Sequence, residues 1–422
     1  MNRLPRLLLC SLLALAGCAT HPSVLTPEAK AQQAKVAATA PLLLISIDGY
    51  RADYFDRHLS PTLEQLAATG VHADSMQPSF PSLTFPNHYA IVTGMVPDHN
   101  GIVNNNMVDT QLGKFSLKDR SAVRNGLWWD QATPLWETAD ANGLRTATMF
   151  WPGSEADIQG EHPDYWKKFK AKMKPNRRVD QILKWLDLPA GKRPTFLTLY
   201  FDAVDHAGHE HGPDSPEVDQ ALRDTDAAIA HLVDGLRKRG LFDKMNIIVV
   251  ADHGMASVPK ENHILIDTLM SMDDVEPVTT AGVLVGFNPK LGHDFNAVEQ
   301  QMEQPHQHMH CWDKTRIPAR FQYGSNARVP RLVCLADVGW SIATTESLAK
   351  KKGHVSLGEH GYDNADPKMR ALFVAHGPAF QRGIRFHNFP NVDVYPLMAH
   401  LLGIRPKLSD GRFEDVQGML KQ

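Results

Sequence analysis

Three apolar runs along the chain share one form. "PLLLISIDGY" from Pro41, "PTFLTLYFDAVDHAGH" from Pro194 and "MNIIVVADHGM" from Met245 carry β-favouring residues without polar alternation and stop at an acidic residue and a turn. A strand covered on both faces need not alternate, so these runs predict buried parallel strands. Between them lie helical patterns such as "SPTLEQLAATG", with Ser60 as cap and Pro61 at the first position, and "SPEVDQALRDTDAAIAHLVDGLRKRG" from Ser215. Strands alternating with helices predict an α/β chain, a three-layer α/β/α sandwich around a mostly parallel central sheet. In such sheets ligands bind beyond the carboxyl ends of the strands. Asp48, Asp202 or Asp205, and Asp252 stand at those ends and predict one site.

Two segments break the alternation. Residues 151–178, "WPGSEADIQGEHPDYWKKFKAKMKPNRR", have no clean period and predict a long surface loop over the sheet. From about Val275 to Trp340, "AGVLVGF" and "RLVCLADVGWSI" predict antiparallel strands of a smaller subdomain within a domain spanning 41–422. No internal repeat is visible.

Composition narrows the partners. The 44 basic and 47 acidic residues give a formal charge of −3, which argues against bulk electrostatic capture of a polyanion, so no stable nucleic-acid partner is expected. Twenty-one histidines make a metal site worth seeking. At the N-terminus, Arg3 and Arg6 precede an apolar run from Leu7 to Ala16, the pattern of an export signal. The "LAGC" that closes it resembles the lipobox of bacterial lipoproteins. That resemblance implies a signal peptide over 1–17, a lipid on Cys18, a tether over 18–40 and a periplasmic protein held at the outer membrane. Cys311 and Cys334 remain, and an oxidising compartment permits their pairing while the spacing leaves it open.

Candidate chemistry centres on "SFPSLTFPNHYAIVTG", residues 79–94. Pro86 disfavours the α conformation at Phe85, which predicts Thr84 on a turn with a helix beginning after it, at "HYAIVTG". A hydroxyl there faces the unpaired N–H groups of a helix start, a setting suited to phosphate. In "DAVDHAGHEHGP" Asp205 and His209 stand four apart and share one side of a helical turn; carboxylate and imidazole suit Zn²⁺. Asp252 and His253 can grip one metal only if the chain turns between them, and Gly254 allows that turn. His360 lies between flexible neighbours in "GEHGYDN". Together these residues suffice for two closely spaced divalent ions, the arrangement that stabilises entering and leaving oxygens in phosphoryl transfer. "HQHMHC" also looks metal-binding, its alternate spacing placing His306, His308 and His310 on one strand face; an exposed polar segment is the favoured reading.

In combination and order, "ISIDGYRADY", "PSLTFPNHYAIVTGMVPDHNGIVNNNMVD", "LWETA", "FWPGS", "DAVDHAGHEHGP", "ADHGM" and "GEHGYDN" resemble the nucleotide pyrophosphatase/phosphodiesterase family of the alkaline phosphatase superfamily, in a bacterial type I phosphodiesterase form. The resemblance spans roughly 41–405 and implies an alkaline phosphatase-like fold. It implies two Zn²⁺ per chain, one held by Asp48, Thr84, Asp252 and His253 and the other by Asp205, His209 and His360. It makes Thr84 the covalent nucleophile and Asn105 the donor to a phosphate oxygen, with Asn104 and Asn106 as one-residue alternatives. Phe85 resembles the residue that stacks on a nucleobase, Tyr200 lines the same pocket, and the opposing aromatic is Phe169, Trp166 or Tyr165.

The implied activity is zinc-dependent hydrolysis of nucleotide phosphodiester and pyrophosphate bonds, releasing nucleoside 5′-monophosphates from ATP, dinucleotide polyphosphates or nucleotide sugars. The full-length loop after "WPGS" favours nucleotides, and Lys167, Lys168, Lys170 and Lys172 offer charge for polyphosphate. The alternatives are a phosphodiesterase acting on lipid or choline diesters and a phosphomonoesterase. The latter needs extra cationic groups, and no Arg is evident near Thr84 in the sequence. A sulfatase lacks its Cys or Ser motif here, and a zinc-dependent binding lipoprotein would leave the nucleophile unused.

Overall fold

The computed structural model describes residues 39–422, which form one compact unit; the signal, lipid and tether expectations for the preceding segment lie outside these residues. Strands β1 (Leu42–Ile47), β2 (Val71–Ala73), β3 (Thr146–Met149), β4 (Tyr165–Lys167), β5 (Phe196–Phe201) and β6 (Asn246–Val250) come first in the chain. A separate sheet of β7 (Val275–Thr279), β8 (Leu284–Pro289), β9 (Met309–Asp313) and β10 (Leu332–Ala336) follows, and then β11 (Phe373–His376) and β12 (Ile384–Phe386).

Eight strands make the central sheet in the order β12-β2-β11-β6-β1-β5-β3-β4. Every neighbouring pair is parallel except those that β11 makes with β6 and β2. The unbroken apolar runs follow from this: β1, β5 and β6 are buried at every position, because helices cover both faces. Helices α1 (Pro61–Ala68), α4 (Pro175–Leu186) and α6 (Pro216–Lys238) meet on one face, while α2 (Thr84–Thr93), α3 (Leu135–Ala141) and α8 (Val394–Leu401) meet on the other. Helix α5 (Ala203–His211) follows β5, and α7 (Thr345–Lys351) lies beyond the second sheet. Ser60 stands at the N-cap of α1 without capping through its hydroxyl, which instead accepts from Tyr50, whereas at the start of α6 the Ser215 hydroxyl accepts from the Val218 N–H.

Two local expectations are corrected. The helix does not begin after the Thr-Phe-Pro turn: α2 begins at Thr84 itself, with Leu83 as N-cap and Pro86 inside the first turn. The N–H that proline lacks is among the four a helix start leaves unpaired in any case, so Pro86 costs no helical hydrogen bond there. The segment 151–178 is not loop throughout, because Tyr165–Lys167 adds β4 to the sheet edge and α4 begins at Pro175. A three-residue strand is too short to leave a period.

The second sheet is fully antiparallel, in the order β7-β8-β10-β9. Cys311 and Cys334 face each other across β9 and β10 and are joined by a disulfide. The histidine tract nearby does not form one imidazole face. Only His310 lies in β9, whereas His308 has φ +61° and stacks on Trp340, and His306 meets the Met302 carbonyl.

Candidate active site

The register of the sheet explains why distant residues converge. In β1 and β6 Ser46 lies opposite Val250, and in β1 and β5 Ile47 lies opposite Phe201. Continuing the register two places past Ser46 and Val250 and one past Ile47 and Phe201 sets Asp48, Asp202 and Asp252 side by side at one end of the sheet. The structure separates the two candidates after β5. Asp202 pairs at 2.9 Å with Arg178, which also donates to the Tyr200 carbonyl and so anchors α4 to the end of β5. Asp205, one turn into α5, faces His209 at 3.4 Å and His360 at 3.5 Å.

Three imidazoles present lone pairs to carboxylates. His253 Nδ1 donates to the Gly254 carbonyl, so Nε2 carries the lone pair of the neutral ring; that atom lies 2.9 Å from Asp252 Oδ2, 3.4 Å from Asp48 Oδ1 and 3.2 Å from Thr84 Oγ1. His360 Nδ1 donates to the Ser82 carbonyl and His209 Nδ1 to the Gly358 carbonyl, which leaves their two Nε2 atoms 3.2 Å apart. Lone pairs so close to one another and to carboxylates repel unless a cation lies between them. The carbonyl partners at the far nitrogens are what orient metal-ligating histidines. Buried Asp48 Oδ1, Asp205 Oδ1 and Asp252 Oδ2 have no hydrogen-bond partner. Ligand atoms of Asp205, His209 and His360, and of Asp48, Asp205 and His253, all lie within 4.8 Å of one another. These residues fit divalent metal held by mixed carboxylate and imidazole ligands.

Burial lowers the pKa of His253 and of His209, but the carboxylates of Asp252 and Asp205 respectively outweigh it and raise both, so without a metal ion these imidazoles tend to hold protons in a cation's place. Burial, then the carboxylates of Asp252 and Asp205, hold the Asp48 carboxyl well above its usual range. At Asp252 burial acts in the same direction, but the fields of His253 and His88 outweigh it and hold the group well below. Burial, with His253 and His209 beside it, holds His360 well below its usual value and so keeps it neutral. A bare site confines more negative charge than it neutralises.

His88 is a residue that sequence reasoning missed, although it stands four after Thr84 on the same helix. Its Nδ1 donates to the Thr84 carbonyl, its Nε2 takes a 2.8 Å hydrogen bond from Ser46, and it lies 3.3 Å from Asp252. Both nitrogens are engaged, so His88 positions the Thr84 turn and Asp252.

Thr84 borders a cavity of about 530 Å³ that also exposes Phe85, Asn105, Phe169, Tyr200 and His360. The Phe85 N–H donates to Asn105 Oδ1 at 3.0 Å, which fixes the amide orientation and leaves Asn105 Nδ2 as a donor. Asn104 and Asn106 are tied to each other through an Asx turn and do not line this cavity. Tyr200 donates to Asp48 Oδ2 at 2.6 Å; burial and the Asp48 charge keep it a phenol.

Of the three candidate aromatics, Phe169 lines the cavity. It lines the cavity with Phe85, its N–H held by Glu155 at 2.8 Å, whereas Trp166 stacks on His162 and Tyr165 donates to the Lys192 carbonyl, both outside the lining. Arg120 and Lys118 line the cavity too, two cations that sequence reasoning did not point to. Arg120 is paired to Glu155. Lys167, Lys168, Lys170 and Lys172 are exposed and outside the lining.

Among known proteins, the family model "Type I phosphodiesterase / nucleotide pyrophosphatase" matches residues 42–363. The chain is 36% identical over 383 residues to an uncharacterized pyrophosphatase/phosphodiesterase of Schizosaccharomyces pombe, covering 88% of this chain and 79% of that one. It is 36% identical to a venom phosphodiesterase of Crotalus durissus collilineatus, covering 90% of this chain and 46% of the other, and so spans about half the length of that relative. An inactive murine ectonucleotide pyrophosphatase/phosphodiesterase 5, solved in complex with AMP, superposes with a TM-score of 0.85 at 31% identity, covering 90% of this chain and 100% of that one. A parallel sheet that delivers Asp48, Asp205 and Asp252 to one metal-ready cleft beside Thr84, together with these matches over most of the chain, makes this protein a hydrolase of the type I phosphodiesterase/nucleotide pyrophosphatase family.

Proposed function

We propose that the chain cleaves nucleotide phosphodiester and pyrophosphate bonds and releases nucleoside 5′-monophosphates through a covalent intermediate on Thr84. The reading assigns Asp48, Thr84, Asp252 and His253 to one Zn²⁺ and Asp205, His209 and His360 to the other. Bound there, the ions would lower the pKa of the Thr84 hydroxyl and of water and offset charge on the phosphoryl oxygens. The carrying observation is the trio of lone-pair imidazoles set against carboxylates beside the Thr84 hydroxyl.

In the first step Thr84 Oγ bonds to phosphorus as the bond to the leaving group breaks, giving a nucleotidyl-threonine; water then releases the monophosphate and restores the hydroxyl. Asn105 Nδ2 donates to a non-bridging oxygen whose charge grows in the transition state. Phe85 and Phe169 clasp the base. Tyr200 and His88 hold Asp48 and Asp252 in place.

A cavity lined by Phe85 and Phe169 favours a planar base, and so nucleotides, over lipid or choline diesters. Of the two cations that line the cavity, Arg120 is paired with Glu155 and Lys118 has no ion pair among the described residues, so the preference for diesters over monoesters rests on the aromatic lining and is decided by the assay below. Export is part of the same proposal, with a lipid on Cys18 and a bacterial periplasm following from the lipobox. No helix among the described residues is long and apolar enough to cross a membrane.

The test compares p-nitrophenyl thymidine 5′-monophosphate with p-nitrophenyl phosphate, before and after chelation and zinc restoration. Zinc-dependent preference for the nucleotide diester is the expected result. Preference for the monoester rejects the substrate class, and a Thr84→Ala protein that keeps its metal and wild-type turnover rejects the covalent route.

A further inference from the structure

Beside the aromatic part of the catalytic cavity lies a buried cation that the proposed reaction does not use. Arg178, in the first turn of α4, is 2% exposed and is not part of the cavity lining. We propose that Arg178 is a positioning residue for nucleotide substrates: its guanidinium holds the wall formed by Phe150 and Phe169 against the end of β5, and the preference for a nucleotide over a plain diester depends on that hold. The inference rests on the phosphodiesterase reading above and adds to it a residue that shapes the base pocket without touching the base.

The contacts of Arg178 run to separate parts of the chain. Nε donates to the Met173 carbonyl at 3.1 Å and Nη2 to the Ala171 carbonyl at 3.3 Å, both in the segment that follows Phe169. Nη1 donates to the Tyr200 carbonyl at 2.9 Å and stands 2.9 Å from an Asp202 carboxylate oxygen. The guanidinium carbon lies 5.1 Å from the centre of the Phe150 ring and 6.0 Å from that of Phe169, and these two cavity-lining rings meet edge to face at 5.3 Å. A guanidinium taken out of water must have its N–H groups met, and Asp202 alone would neutralise the charge. The three carbonyls do something further: a rigid planar fork that binds all of them fixes the 171–173 backbone relative to residue 200.

The wall needs such a hold. Phe150 has φ +66°, a left-handed conformation that a bulky residue keeps only where its surroundings impose it. Past β4 the chain has neither helix nor strand from Lys168 to Lys174 and exposes Lys168, Lys170 and Lys172. It is tied at Phe169, whose N–H donates to Glu155, and at Ala171 and Met173, whose carbonyls accept from Arg178. The other anchor is firm, because Tyr200 belongs to β5, buried at every position, and donates its hydroxyl to Asp48. Loss of the fork therefore displaces the segment that carries Phe169 and leaves the Thr84 end of the cavity in place.

Lysine keeps the charge but cannot span these acceptors. In Arg178→Lys, KM for p-nitrophenyl thymidine 5′-monophosphate should rise about tenfold and kcat change by no more than about twofold, while kcat/KM for bis(p-nitrophenyl) phosphate stays within about twofold of wild type. Asp202→Asn keeps an acceptor and removes only the charge, so it should leave both substrates near wild type. Trypsin cutting at Lys168, Lys170 and Lys172 is a readout without turnover, and it should quicken about tenfold in Arg178→Lys and stay at the wild-type rate in Asp202→Asn. Arg178→Gln, which removes the buried charge, carries the same comparisons if the lysine variant does not fold. Equal losses on the two substrates, or unchanged KM with unchanged cutting, overturn the positioning role and leave the phosphodiesterase reading standing. A wild-type protein that cleaves neither ester overturns that reading and the inference with it.

Discussion

Replacing Glu137 by Gln tests how burial stores free energy away from the site. Glu137 lies in α3, is 8% exposed, and its Oε1 has no hydrogen-bond partner. Burial, with the Asp130 and Glu161 carboxylates adding to it, pushes its carboxyl from 4.5 up to about 8. At ~1.4 kcal/mol per pH unit that interval corresponds to about 5 kcal/mol. Asp130 and Glu161 are exposed and their share is screened, which leaves roughly 2–3 kcal/mol. The folded chain binds this proton more tightly than the unfolded one, so its stabilisation is complete below pH 4.5 and is lost as pH rises through about 8. Glu137→Gln cannot ionise. Urea unfolding of metal-saturated protein should therefore find the variant roughly 2–3 kcal/mol more stable than wild type at pH 8.5, relative to their difference near pH 4.5. A difference between the two proteins that stays flat across that range would refute the assignment of a buried, proton-holding carboxyl.

Asn105→Ala should lower kcat by ~10²–10³, and Asn105→Asp should lower it as severely, since it keeps the acceptor for Phe85 but loses the donor; near-normal kcat in Asn105→Asp would reduce the residue to a helix support. Phe169→Ala should cost ~1–3 kcal/mol in kcat/KM for a nucleotide ester and little for bis(p-nitrophenyl) phosphate, and equal losses on both would remove it from the base slot. In Gly254→Ala the new Cβ would lie 2.1 Å from the Lys368 oxygen and 3.0 Å from that of Arg370. Because both atoms are backbone, the Asp252–His253 turn must shift, and metal analysis should find zinc lost along with activity; a fully loaded, active variant would show that the turn tolerates displacement.

Much of the site could be read from strand ends. Asp48 and Asp252 close unbroken apolar runs, and the parallel sheet carries that local signal into a shared location. Asp205 and His209 were legible through helical spacing. The start of α2 was not, because proline reads as a breaker while its cost depends on whether its missing N–H had a partner. His88 was hidden in a different way: nothing local marks an imidazole as second to a carboxylate 164 positions on (252 − 88). The choice of Phe169 over Trp166 turned on which residues of the segment joined β4, and three residues carry too little period to say. Gly254 was read as a source of conformational freedom, whereas the space around its Cα, closed by two carbonyls, is the stronger demand.

The convergence at the sheet end also has a consequence for biosynthesis. Asp48 and His360 are 312 positions apart (360 − 48), and the remaining ligands are spread between them. A chain emerging from the ribosome presents Asp205 with His209, and later Asp252 with His253, as isolated two-donor fragments able to hold an ion only loosely. On the proposed ligand assignment, neither fragment would become a high-affinity trap until the segment carrying His360 has been made and packed beside His209 of α5. On that assignment, tight metal capture would therefore wait until nearly the whole domain has been made, and ions met earlier would stay exchangeable.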